Sequence, residues 1–227
     1  PSPGIIATAI KNNYYLNEDE YLDTLANANR TKYKAAIDAK IILQIDAPDL
    51  ALERHNILHD KTLGDFIQFI AKVIVRINKM LEGLPRNRVR LHVCYGNYES
   101  PHDKDVPLEY ILPSLLEANV GGFLFHFANS RHQHEIKLFK DNKLNKDQYL
   151  IVGAIDTLSV FVEHPEVIAD RLELAAESLG SATQVMAGTD CGFDTSAGMG
   201  RLTSDVVWSK LSALKDGARI ASDRLFT

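Results

Sequence analysis

Six short apolar runs, Ile5–Ile10, Ile41–Ala47, Val89–Tyr95, Gly122–Ala128, Tyr149–Asp156 and Gln184–Asp190, punctuate the chain, and longer amphipathic segments fill the intervals. That rhythm predicts βα units on a parallel sheet. The runs are nearly continuous in hydrophobicity rather than alternating, as expected of strands covered on both faces. Helix ends are legible between them. Asn17 followed by Glu20 predicts a capping box opening a helix that runs to about Ala39. Pro165 suits the first turn of a later helix and Gly180 its C-terminal cap.

The polar exceptions fall late in the runs: Asp46, His92 with Cys94, His126, Asp156, and Asp190 with Cys191. Polar groups at the C-terminal ends of successive parallel strands are where α/β barrels place their sites. The fold class expected is therefore α/β, a (β/α)8 TIM-type barrel. Six strands cannot close such a barrel, which typically needs roughly 250 residues. Two βα units are then lacking, and the chain, which opens Pro1-Ser-Pro3 without an initiator methionine, reads as the C-terminal part of a longer barrel. An open doubly wound sheet is the alternative. With 227 residues and 45% hydrophobic content, residues 1–227 are expected to form a single domain.

Composition excludes several classes. A net charge of -5 with acidic and basic residues interleaved leaves no basic stripe for nucleic acid or an anionic membrane. The longest apolar runs, such as Gly121–Phe125, are far too short to span a bilayer. No signal-peptide pattern opens the chain, and two cysteines do not make a disulfide framework, so a reducing, cytoplasmic setting is expected.

His92 and Cys94 stand two residues apart on a strand, hence on one face, where an imidazole and a thiolate can converge on a metal such as zinc. His-x-Cys alone is ordinarily core filling. Cys191, in a Gly-rich turn after another strand, and His126, ending a third, strengthen the metal reading. Ligands from separate strands make a site that can leave a position for substrate. Asp46 and Asp49, in Gln44-Ile-Asp-Ala-Pro-Asp49, are candidates for a substrate amino group or hydroxyl, or else cap the following loop. Asp156 has the same two readings. His132 and His134 resemble a metal tract, but they open a helical segment where residues two apart do not share a face. His164, before Pro165, reads as a helix-entry residue. Gly198-Met-Gly-Arg201 reads as a substrate loop, with Arg201 able to meet an anion, or as a plain turn.

In four segments the chain resembles the C-terminal, zinc-bearing barrel of cobalamin-independent methionine synthase and its relatives, among them the epoxyalkane:coenzyme M transferases. These are Gln44-Ile-Asp-Ala-Pro48, Leu91-His-Val-Cys-Tyr95, Phe125-His-Phe-Ala-Asn-Ser-Arg131 and Thr189-Asp-Cys-Gly192. The resemblance implies zinc as cofactor, held by His92, Cys94 and Cys191, with His126 where many members supply a glutamate. It also implies alkyl transfer to a small-molecule thiol such as homocysteine, with Asp46 on the amino group and a methylated folate as the family's donor. Two departures bear on the donor. The methionine synthases read Ile-Asp-Glu-Pro where this chain has Ile45-Asp-Ala-Pro48. They also carry a catalytic histidine in an Asp-x-His pattern where this chain has Asp156-Thr-Leu158, with His164 a few residues further on as a substitute. A general acid there protonates a poor amine leaving group. A non-folate thiol transferase or lyase, or a noncatalytic protein with structural zinc, are the competing expectations.

Overall fold

The computed structural model of the protein describes residues 1–194 and 201–227. Five strands, β1 (Leu43–Asp46), β2 (Val89–His92), β3 (Gly122–His126), β4 (Tyr149–Ile155) and β5 (Val185–Thr189), form one sheet in that order. β1 pairs parallel with β2, and β4 with β5. Helical segments alternate with the strands, so the βα rhythm read from the sequence is realised as a mixed α/β fold. The chain divides into two compact units, Pro1–Tyr95 with Lys104–Phe123, and Gly96–Asp103 with Leu124–Thr227.

The first unit begins with a correction. Ile5–Ile10, expected as a strand, lies in and just after helix α1 (Pro3–Ala9). Pro3 at the first helical position presets φ, and the Ser2 side chain caps the helix by accepting from Ile5 N at 3.0 Å. A start signal of this kind outweighs the β-branched character of two isoleucines. Helix α2 (Glu18–Asp38) opens as expected on Asn17, which accepts from Glu20 N at 2.9 Å, although the Glu20 carboxylate reaches back to Leu16 N rather than to Asn17.

Helix α3 (Leu63–Leu81) carries a full capping box of Thr62 and Asp65. It buries Phe66, Phe69, Ile70, Val73, Ile74, Ile77, Met80 and Leu81, a stripe at helical spacing, each large apolar side chain contributing roughly 1.5–3 kcal/mol. Its C-terminal carbonyls would otherwise lack partners. The Arg30 guanidinium from α2 donates to those of Lys79, Met80 and Glu82 at 3.1, 2.6 and 2.7 Å. Helix α4 (Leu108–Leu116) completes this unit.

In the second unit α5 (Pro165–Leu179) starts on Pro165 and ends on Gly180 at φ 73°, as its sequence predicts. It packs on α6 (Ser204–Leu225), where Gly217 lets the helices approach; a Cβ there would sit 2.6 Å from Ile168. Phe125, Phe127 and Phe139 cluster with ring centroids 6.0–6.4 Å apart. Lys210 of α6 is completely buried, and its ammonium donates to the Glu163 carboxylate at 2.9 Å and to the carbonyls of Asp156 and Phe161 at 3.0 and 2.6 Å. The segment after β4 is thereby pinned. Among the described residues no helix is long and apolar enough to cross a membrane.

Candidate metal centre

In the first unit the parallel register places Asp46 opposite His92, so the last residues of two neighbouring strands meet. His92 Nδ1 lies 2.8 Å from Asp46 Oδ1. A carboxylate on one ring nitrogen holds the proton there and leaves Nε2 as the ligand atom. His92 and Cys94 are both 6% exposed, whereas the Asp46 side chain is 60% exposed and keeps access to solvent. Sequence reasoning assigned Asp46 to substrate and missed its bond to His92. Both residues stand out in the sequence as polar strand ends, but the register that pairs them appears only in the fold.

In the second unit His126 ends β3, Cys191 follows β5, and both are buried. Cys191 Sγ lies 3.4 Å from His126 Nε2. Two ligands on a tetrahedral zinc, with Zn–S about 2.3 Å and Zn–N about 2.0–2.1 Å, stand about 3.5 Å apart. The separation and the soft donor set fit that ion.

Asp190, between β5 and Cys191, is 4% exposed. Its Oδ1 accepts from the backbone N–H groups of Phe127 and Ala128 at 3.0 and 3.1 Å, fixing the segment that leaves His126. Burial pushes its carboxyl up to about 6, against the opposing pull of His126 and the two amides. Gly153 makes room for it: a Cβ there would lie 2.2 Å from Asp190 Oδ1. Sequence reading noted Asp190 only as a polar residue at a strand end, and nothing local in the sequence marks its role as a strap. His92, Cys94, His126 and Cys191, all buried, are the described residues that as a group can hold a metal ion.

The remaining candidates are placed as follows. Asp49 is fully buried, and Ser2 Oγ donates to it at 2.5 Å; burial pushes its carboxyl up to about 7. Asp156 folds its carboxylate onto the backbone N–H groups of Leu158 and Ser159 at 2.9 and 3.4 Å. Next to it, the buried Thr157 donates to Asn97 Oδ1 at 2.9 Å, and the Asn97 amide donates to the Gly192 carbonyl at 2.9 Å. Asn97, not singled out from sequence, thus ties the segment after β4 to the turn holding Cys191. His164 is exposed and caps α5 through Nδ1, 3.2 Å from Glu166 N, which is the helix-entry reading. Arg201 is exposed and ion-paired with Glu99, while Gly198–Gly200 lie outside the described residues. His132 is buried on Glu135 at 2.8 Å, and His134 is exposed, so the pair shares no face.

A parallel α/β sheet bearing buried His and Cys side chains at its strand ends defines a class of α/β proteins with a candidate thiolate–imidazole metal centre. Within that class the chain resembles the cobalamin-independent methionine synthases. No known family profile matches it. It is 26% identical over 162 residues to methionine synthase from Thermoplasma volcanium, covering 63% of this chain and 44% of that protein. Its fold matches a B12-independent methionine synthase from Shewanella sp. W3-18-1 in complex with selenomethionine, with TM-score 0.78, 22% identity and coverage of 100% of this chain and 62% of the other. A putative vitamin-B12 independent methionine synthase from Listeria monocytogenes matches with TM-score 0.63 and 20% identity over 98% of this chain and 62% of the other. The chain therefore spans less than two thirds of the length of these relatives.

Proposed function

We propose that the chain is the zinc-bearing catalytic domain, residues 1–227 of a TIM-type barrel, of a cytoplasmic enzyme transferring an alkyl group, methyl in the methionine synthases it resembles, to a small-molecule thiol such as homocysteine. The observation that carries this reading is the set of four buried His and Cys side chains at strand ends, in a chain with sequence likeness to a methionine synthase. His92, Cys94, His126 and Cys191 would hold a single zinc. When bound, zinc lowers the pKa of a coordinated thiol so that a thiolate is present at neutral pH.

The chain's own residues do the rest. Asp46 holds the His92 ring and offers its exposed edge to a substrate amino group. Asp190 holds the backbone beyond His126. We assign Arg201 to an anionic substrate group, Asp49 to support of the Asp46 segment from beneath, and Asp156 with His164 to the donor side. Leu158 stands where the Asp-x-His pattern of the relatives would put the catalytic histidine, and its side chain has no proton to give. A leucine there favours an activated alkyl donor such as a strained epoxide over a methylated folate, whose amine leaving group is poor without a general acid.

A noncatalytic structural zinc is the second reading, favoured by a donor set of four protein ligands, which is the closed arrangement of structural sites. X-ray absorption at the zinc edge, with and without homocysteine, separates the two. A new sulfur scatterer is expected on adding the thiol; an unchanged shell supports structural zinc. Cys94→Ser and Cys191→Ser are each expected to lose most of the metal while keeping the far-ultraviolet circular dichroism of the parent. Stoichiometric zinc in both variants would rule out the assigned ligands.

A further inference from the structure

The segments that follow β1 and β2 enclose a second feature within the first unit, a cavity of about 490 Å³. That size is within the range of small-ligand sites. Its polar lining is cationic. Arg54 and Lys104 contribute two permanent positive charges, and His59 adds a third nitrogen base. The one acidic side chain in the wall, Asp105, faces a histidine rather than the arginine or lysine: its carboxylate is buried and lies 3.2 Å from His55 Nδ1. The cavity thus keeps an excess of positive charge. Leu63 and the ring of Tyr110, which is 49% exposed, give it an apolar side.

We propose that this cavity is a binding site for a small organic oxyanion, with the anionic group on Arg54 and Lys104 and its carbon body against Leu63 and Tyr110. An arginine fork suits the two oxygens of a carboxylate or phosphate, a lysine adds charge, and neither group can be neutralised at neutral pH. The proposal stands apart from the zinc reading, because none of the cavity's residues is an assigned metal ligand.

Calorimetric titration of the whole chain, zinc-free and zinc-loaded, with glutarate, inorganic phosphate and the uncharged glutaramide tests it. Saturable binding of glutarate or phosphate is expected in both metal states, with glutaramide inert; whichever anion binds more tightly identifies the ligand as carboxylate or phosphate. Arg54→Gln and Lys104→Gln should each weaken binding about tenfold, the scale of one lost charge-assisted hydrogen bond, without shifting thermal unfolding. No saturable binding of either anion, glutaramide binding as tightly as glutarate, or affinity unchanged in both variants would overturn the proposal. Binding confined to zinc-loaded protein and unaffected by either substitution would place the anion on the metal and likewise overturn it.

Discussion

Asp46 and Asp49 lie three positions apart and obey opposite physics. Asp46 is solvent-exposed and holds a ring nitrogen of His92 at 2.8 Å. Removing the charge while keeping the shape, Asp46→Asn, is expected to weaken zinc binding about 10–100-fold, the usual effect of losing a carboxylate behind a ligating histidine. Competition with a chromophoric chelator measures it. Asp49 is buried, and its carboxyl in the folded protein titrates near 7 against 3.8 for the free side chain. The folded state therefore binds the extra proton between those values, and this contribution to stability is complete below about pH 4 and lost as pH rises through about 7. Asp49→Asn should flatten that fall in a series of denaturant unfolding curves; a slope identical to the parent's would show that another group titrates. At this scale the candidate residues His92, Cys94, His126 and Cys191, which the structure groups, were legible in the sequence because strand periodicity and Gly-rich turns are local. The Asp46–His92 bond was not, because it depends on register between strands 46 residues apart.

Among the elements, five of the six apolar runs are strands, and the ends of α2 and α5 fall where Asn17, Pro165 and Gly180 put them. The miss, Ile5–Ile10, is instructive: the seven residues Pro3–Ala9, capped by Ser2 and opened by Pro3, form a helix because the start signal precedes the apolar stretch. Lys210 was equally illegible. A lysine in an amphipathic helix reads as solvent-facing, and only the Glu163 carboxylate with two carbonyls explains its burial. Close helix packing gives the prediction for this level. Gly217→Ala puts a methyl group 2.6 Å from Ile168 and should cost about 1–3 kcal/mol, seen as a lower thermal midpoint. Gly153→Ala, colliding with Asp190, should loosen the turn before Cys191 and lower metal affinity by the same chelator competition.

For the molecule as a whole, the five-strand sheet and its likeness to methionine synthases establish the α/β class, and closure into a barrel belongs to the proposal. Zinc at 100 times its dissociation constant should raise the stability of the folded chain by about 2.7 kcal/mol. A melting transition shifted upward by zinc is expected; an unshifted one would show that the folded chain does not hold the ion. Lys210 supplies an independent clock on local opening. Its ammonium has no solvent exposure, so an amine-acylating reagent can reach it only when α6 lifts away from the segment after β4. In a labelling time course read by mass spectrometry, Lys210 should be acylated at the rate of that excursion, long after exposed Lys34, and Glu163→Gln should hasten it. The buried amine would thereby convert a static lock into a measured frequency of local unfolding.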